Sequence, residues 1–345
     1  WAEPAASTTP AAEHPDQAWR ILIDPSARLT LEEVVAQRQL SQRLDSLSYS
    51  APSTDQAVWL QINLPPYSQP HWLWFYAPRM QYLDFYLLRD TELERHVSTG
   101  ELRPFSARPL ADRAYVFALP NDSEPRTAYI RLQSDYVMLT WFELIDEAGL
   151  VRQSADAYLF GTLLGALALL LIYNLLRFSR SRSYSHLGLA GLHLALLVSA
   201  LANGGLLGIR SPVLLPYQAL IADVSMLLAF VFLLGFILDF YQQRCTRLGK
   251  RLLALQIGAI SLLAVLMLFV PTFRSAWLLY GAVLLASGSA TAVALHHWRL
   301  GHAPARLLLV GMLVMDAGFI LMLPMLLGLN QLAPHGLSAM LFGMA

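Results

Sequence analysis

From about residue 156 to the end of the chain, apolar side chains run almost unbroken, with only short polar interruptions. In 156–177, DAYLFGTLLGALALLLIYNLLR, the polar side chains between Tyr158 and Leu176 are Tyr158, Thr162, Tyr173 and Asn174. A helix needs ~20 such residues to cross ~30 Å of hydrocarbon, where only a helix or a closed barrel satisfies its own backbone. The stretch predicts a membrane span. Further spans are predicted at about 185–207, 213–238, 252–270, 276–295 and 305–327, with an unfinished one opening near His335. That makes an all-α bundle of seven helices whose last is cut short at Ala345, and we expect the chain to continue beyond it.

Before these spans the pattern changes period. The run 19–24, WRILID, predicts a strand, and Thr30 is placed to cap a short helix over 31–40, with Glu32 and Glu33 in its first turn. In 57–64, AVWLQINL, Val58, Leu60, Ile62 and Leu64 point one way and Trp59, Gln61 and Asn63 the other. The runs 71–76, 82–88, 114–119, 128–134 and 137–145 alternate likewise, separated by Pro, Gly, Asn and Asp. Such spacing predicts an all-β jelly roll or β-sandwich of about 130 residues, enough to bury its own core. The expected organisation is a disordered lead-in over 1–17 following an export signal, a sandwich over 18–148, a connecting loop at 149–155 and the bundle over 156–345. The opening Trp1-Ala2-Glu3-Pro4, without Met, is read as a processed signal or a trimmed boundary.

Charge fixes the orientation. If the first span enters the cytoplasm, the inner loops carry nine basic residues: Arg177, Arg180, Arg182, Arg244, Arg247, Lys250, Arg251, Arg299 and Arg306. The outer loops carry two, Arg210 and Arg274. The bias puts the sandwich outside and the far end of span seven in the cytoplasm. Over all 345 residues the net charge is zero, so nothing argues for nucleic acid as a partner. The one cysteine, Cys245, falls in an inner loop, so the exported domain must rely on its apolar core.

The order of these features resembles a family. The strand and helix over 19–40 are followed by Trp59-Leu60, Leu83-Asp84, Gly100, Pro104 and Arg108, then Tyr129-Ile130-Arg131-Leu132 with Ser134. In the membrane part come a basic turn after span one, Tyr184 opening span two, Gly204-Gly205 closing it, and Gly301, Ala305 and Arg306 opening span six. This is similar to the bacterial seven-transmembrane receptors with diverse intracellular signalling modules that carry a jelly-roll ectodomain. Gln61 departs from the pattern, which often has Arg there. The resemblance implies an inner-membrane receptor with a periplasmic sensor similar to carbohydrate-binding modules. It further implies a seven-helix transmitter and a cytoplasmic output beyond this sequence, a diguanylate cyclase first and a histidine kinase next. The implied partners are a carbohydrate or small organic acid, the lipid bilayer, a second copy of the chain in a homodimer, and a periplasmic or membrane protein. No cofactor is implied.

Trp59, Trp72, Trp74, Tyr76, Tyr82, Tyr86 and Trp141 are candidates for a platform that stacks on a sugar ring, against the alternative that half of them fill the core. Gln61, Asp84, Arg108 and Arg131 are candidate polar partners; the arginines suit a carboxylate or phosphate, and an Asp84–Arg131 salt bridge is the structural alternative. Inside the spans, His193, Asp223 and Asp316 are ionisable groups at a costly depth, read as a polar switch or as static interhelical hydrogen bonds. Pro216 and Pro324 read as kinks in spans three and six. His296, His297 and His302 sit at the inner edge without a cysteine or carboxylate beside them, which favours a basic rim over a metal site.

Enzyme readings fail on motif: the chain has no HExxH and no GxSxG, and its membrane aspartates sit in IADVS and VMDAG. A transporter or channel is the second class, but neither an inverted repeat nor paired broken helices support it. A docking or dimerisation module is the third, favoured by a flat apolar patch in place of an aromatic groove.

Overall fold

The computed structural model describes residues 19–37, 42–44, 48–51, 56–77, 79–241 and 244–326, with backbone alone for 154–156 and 321–326. The lead-in, the seventh span and the side chain of Pro324 lie outside these residues.

The alternating runs form two antiparallel sheets. One has six strands in the order β2 (Gln42–Leu44), β1 (Trp19–Asp24), β4 (Ala57–Leu64), β9 (Arg126–Gln133), β6 (Tyr82–Arg89), β7 (Glu92–Thr99). The other has four, β3 (Ser48–Ala51), β10 (Met138–Ile145), β5 (Trp72–Tyr76), β8 (Tyr115–Ala118). Most neighbours are distant in sequence, as expected of a jelly-roll sandwich. Val58, Leu60, Ile62 and Leu64 point into the core between the sheets, where Phe85 stacks on Phe117 at 4.3 Å and Trp19 meets Phe142 at 4.3 Å. Strand β7, ELERHVST, escaped the pattern because it is an edge strand whose side chains are mostly in water.

Helix α1 spans Leu31–Ala36 with Gln37 as its C-cap, 38–40 of the expected helix lying outside the described residues, and a capping box holds its start. The Thr30 N–H donates to Glu33 Oε2 at 2.8 Å, and the Glu33 N–H donates to Thr30 Oγ1 at 3.4 Å. The helix lies on the outer face of the six-stranded sheet, where Val34 packs with Trp59, Leu88 and Tyr129. Strand β4 is therefore buried on both faces, which alternation alone does not reveal.

Among the described residues, six helices are long and apolar enough to cross a membrane: α2 (Glu147–Ser181), α3 (Tyr184–Asn203), α5 (Gln218–Phe240), α6 (Arg247–Phe269), α7 (Ala276–Arg299) and α8 (Ala303–Leu326). A short α4 (Leu206–Arg210) and a 3-10 turn over Pro212–Tyr217 join α3 to α5. Pro216 falls in that turn, ahead of the helix it was expected to kink. The segment 149–155 is not a loop. Asp146 accepts a hydrogen bond from the Gly149 N–H at 2.8 Å and starts α2, which continues unbroken into the first span. Its 35 residues rise ~52 Å, so about 20 Å of it stands clear of a ~30 Å hydrocarbon layer.

Helix α5 is the hub of the bundle: half of its apolar stretch is buried, against 17% for α2. Leu227, Phe230, Leu233, Leu234 and Ile237 centre the bundle core. Gly188 and Gly191 let α3 approach α5 closely; a Cβ on Gly191 would lie 2.6 Å from the Phe232 ring.

Candidate functional site

The ectodomain candidates fall in three separate places. Trp59, Gln61, Asp84, Tyr86 and Arg131 belong to the outer face of the six-stranded sheet, in the cross-strand rows Trp59–Arg131–Asp84–Ser98 and Gln61–Tyr129–Tyr86–His96. Trp59 is buried under α1, with Tyr86 stacked on it at 5.8 Å, so it offers no free face. Asp84 is held bidentately by Arg103 at 2.5 and 3.2 Å, with Ser98 donating at 2.7 Å and Arg131 more distant at 3.8 Å. Arg131 spends its Nη2 on Ala27 O and Gln133 Oε1, both at 2.8 Å. The anticipated Asp84–Arg131 contact exists, but Arg103 is the main partner; the cluster is a self-satisfied network on the sheet.

Arg108 lies elsewhere, buried over the Tyr115 ring at 4.4 Å and donating to Asp112 O at 2.8 Å. Burial pushes the Tyr115 hydroxyl up to about 12. Arg108 and Arg131 are not brought together as an anion clamp.

Trp72, Trp74, Tyr76 and Trp141 do come together, on the outer face of the four-stranded sheet. Trp74 and Tyr76 are two residues apart on β5 and nearly coplanar, 5.9 Å between centroids at 9°. Trp141, opposite Tyr76 in the ladder, lies 6.1 Å from it. The three tryptophans are half-exposed, and Tyr82 sits apart on β6 beneath Arg103 at 5.4 Å.

The lower end of this aromatic face meets the membrane bundle, and the junction contains residues that the sequence pattern did not single out. Gly100, at φ +141°, approaches Gln81 so closely that a Cβ would lie 2.2 Å from its carbonyl oxygen. The following N–H groups of Glu101 and Leu102 donate to Met80 O at 2.7 Å and Gln81 O at 3.2 Å. This clamp sets Arg79 and Glu101 side by side above α5. Arg79 Nη2 donates to Asp223 at 2.7 Å, and its guanidinium covers the Tyr136 ring at 5.0 Å. Burial opposes the charge of Arg79, but the Asp223 carboxylate outweighs it and the arginine pKa ends above its ordinary value. Glu101 Oε1 accepts the Ala219 N–H of the first turn of α5 at 2.8 Å, capping it from outside the helix. Burial pushes the Glu101 carboxyl up to about 7, against the opposing pull of that hydrogen bond and of Arg79. Beside them Arg113 bridges Tyr76 of the ectodomain and Phe160 of α2, 5.6 Å from each ring. Phe160 in turn lies where a Cβ on Gly204 would be, at 2.5 Å.

Two clefts open around Arg79. The larger, about 50 Å³, lies between Tyr76, Leu139 and Trp141 above and Asn203 and Tyr280 below. The smaller, about 10 Å³, is lined by Arg79, Asp223, Tyr136, Arg274 and Tyr280.

The membrane residues do not assemble into one cluster. Asp223, in the second turn of α5, pairs outward with Arg79. Asp316 accepts from Ser287 and, at 2.6 Å, from Thr291, tying α8 to α7. His193 Nδ1 sits 2.6 Å from Leu189 O in its own helix. At the inner edge His297 stacks on Tyr241 at 4.0 Å and His302 Nδ1 lies 3.0 Å from Arg244.

Residues 16–146 match the family model for 7TMR-DISM extracellular 2, and residues 156–345 match the model for 7TM diverse intracellular signalling. No curated protein matches the chain.

Proposed function

The chain belongs to the 7TM diverse intracellular signalling family and carries its second kind of extracellular domain, and on that premise we propose how this multi-pass receptor senses and relays. The input is a small molecule, a carbohydrate or organic acid, taken at the aromatic face of Trp72, Trp74, Tyr76 and Trp141, where three half-buried indoles surround the buried Tyr76 ring and Trp74 lies coplanar with it, an arrangement that suits stacking. Trp59, Gln61, Asp84, Tyr86, Arg108 and Arg131 keep structural parts in this reading. The seating of the sandwich on the bundle is the relayed quantity. It passes to α5 through Arg79–Asp223 and Glu101–Ala219, and to α2 through Arg113 and the rigid helix that continues from Asp146.

The observation that carries the proposal is that the ectodomain grips the most buried helix of the bundle with an ion pair and a helix-capping hydrogen bond. The sandwich is periplasmic, the membrane is the bacterial inner membrane and the inner ends are cytoplasmic, in line with the basic loops. Homodimerisation and a diguanylate cyclase or histidine kinase output rest on the family resemblance. Input energy shifts the seating only by the ligand's differential affinity for the two arrangements.

Hydrogen exchange on the full chain in lipid nanodiscs tests the relay. Asp223→Asn is expected to raise exchange in the ectodomain loops 79–81 and 99–103 together with the first turns of α5. Faster exchange in the helix with the loops unchanged refutes this route.

A further inference from the structure

We infer that the cleft at the junction is itself a binding site for a small carboxylic acid with an apolar body, and that the acid competes with Asp223 for Arg79. The inference rests on the receptor reading above and names the ligand class that acts on its relay.

The larger cleft has the make-up of a ligand site at a domain boundary: mostly apolar walls and a few convergent polar groups. Tyr76, Leu139 and Trp141 supply the apolar side from the ectodomain, and Asn203 and Tyr280 supply polar groups from α3 and α7. Arg79 lines it as well. One guanidinium nitrogen, Nη2, is used on Asp223, whereas the Nε–H is buried with no acceptor. Leaving a buried N–H without an acceptor is costly even where the guanidinium charge is already paired. A carboxylate suits this donor because a guanidinium presents two parallel N–H groups to two oxygens. An apolar ring or short chain then lies against Trp141 and Tyr76, which continue upward into the half-exposed Trp74 and Trp72.

The geometry also gives the site its consequence. The Arg79–Asp223 ion pair joins the ectodomain to the bundle. An acid seated on the guanidinium draws it from Asp223 and loosens the hold on α5. Linkage makes the effect reciprocal: whatever weakens the Arg79–Asp223 pair tightens the acid. A sugar without a carboxylate would stack on the upper rings but leave Arg79 unengaged.

The test is calorimetric titration of phenylacetate into the full chain in zwitterionic nanodiscs, with empty nanodiscs subtracted and 2-phenylethanol and glucose as uncharged comparisons. Saturable phenylacetate binding is expected, at least tenfold weaker with Arg79→Gln and several-fold tighter with Asp223→Asn, and 2-phenylethanol should bind much more weakly. The tightening in Asp223→Asn is a gain that misfolding would not produce. Equal binding of 2-phenylethanol, or weaker phenylacetate binding in Asp223→Asn, overturns the carboxylate assignment. Absence of phenylacetate binding to the parent overturns the cleft as an acid site. Neither result touches the relay, which the exchange experiment on Asp223→Asn judges without any ligand.

Discussion

Glu101 makes the seating of the ectodomain depend on pH, with a sign that the structure sets. Its carboxyl is 1% exposed, with Oε1 on the Ala219 N–H and Oε2 without a partner. Arg79, Asp223 and Arg108 are the charges that act on it there. Docked, the group titrates near 7; released into water it returns towards 4.5. The docked form therefore holds its proton more tightly. Below about pH 4.5 both forms are protonated and docking is at its strongest; between about 4.5 and 7 the released form sheds its proton first and docking weakens; above 7 the curve is flat. The gap between the two values corresponds to an upper limit of about 3 kcal/mol. Glu101→Gln keeps the Oε1 acceptor and removes the titration. It is expected to flatten the pH dependence and, at pH 7.5, to dock more firmly than the parent by up to that amount. Spin labels on Thr91→Cys, in the β6–β7 hairpin, and on the single native cysteine, Cys245, report the separation of ectodomain and inner loop. A parent whose distance distribution is the same at pH 5 and 7.5, or a Glu101→Gln variant with the parent's pH slope, refutes the reasoning.

Other consequences follow from close contacts. Gly100→Ala places a Cβ against Gln81 O at φ +141°, so the clamp beneath Arg79 and Glu101 must shift; at a cost of about 1–3 kcal/mol, the thermal unfolding midpoint should fall and exchange in the first turns of α5 should rise. Trp59→Ala empties a site that is 2% exposed and should cost about 3–5 kcal/mol, whereas half-exposed Trp74→Ala should cost far less; equal losses in thermal unfolding would contradict the assignment of Trp59 to the core under α1. Gly191→Leu forces α3 off Phe232 and should cost about 1–3 kcal/mol, read as unfolding of the bundle at lower SDS.

What the sequence revealed and what it hid divide along the range of the interactions. Spans and strand faces are local periodicities, so the core positions of β4 were readable residue by residue. Which outward face stays free is a tertiary matter. Trp59 and Trp74 both alternate away from the core, and only the packing of α1 on one sheet separates a buried indole from a half-exposed one. The helix over 149–155 was hidden because a short polar segment between a strand and a span satisfies loop chemistry equally well. Its cap, Asp146 onto Gly149, is the local feature that decides for helix.

Asp223 shows the same limit at the site that matters most. A carboxylate within a span is costly and calls for a partner, and the sequence made His193 and Asp316 the natural candidates. The partner comes from 144 residues earlier in the chain, across the membrane surface. Depth explains this. Asp223 lies in the second turn of a helix that enters from outside, within reach of a long arginine side chain, whereas Asp316 lies near the middle of α8 and uses the hydroxyls of α7. Two acids in different spans, α5 and α8, thus take opposite roles: one fastens helix to helix, and the other fastens the bundle to its sensor. The sequence feature that points to the second role is an acid near the outer end of a span combined with a lone arginine, Arg79, between two strands of the exported domain. Membership in a span makes the acid expensive; its distance from the surface decides who pairs with it.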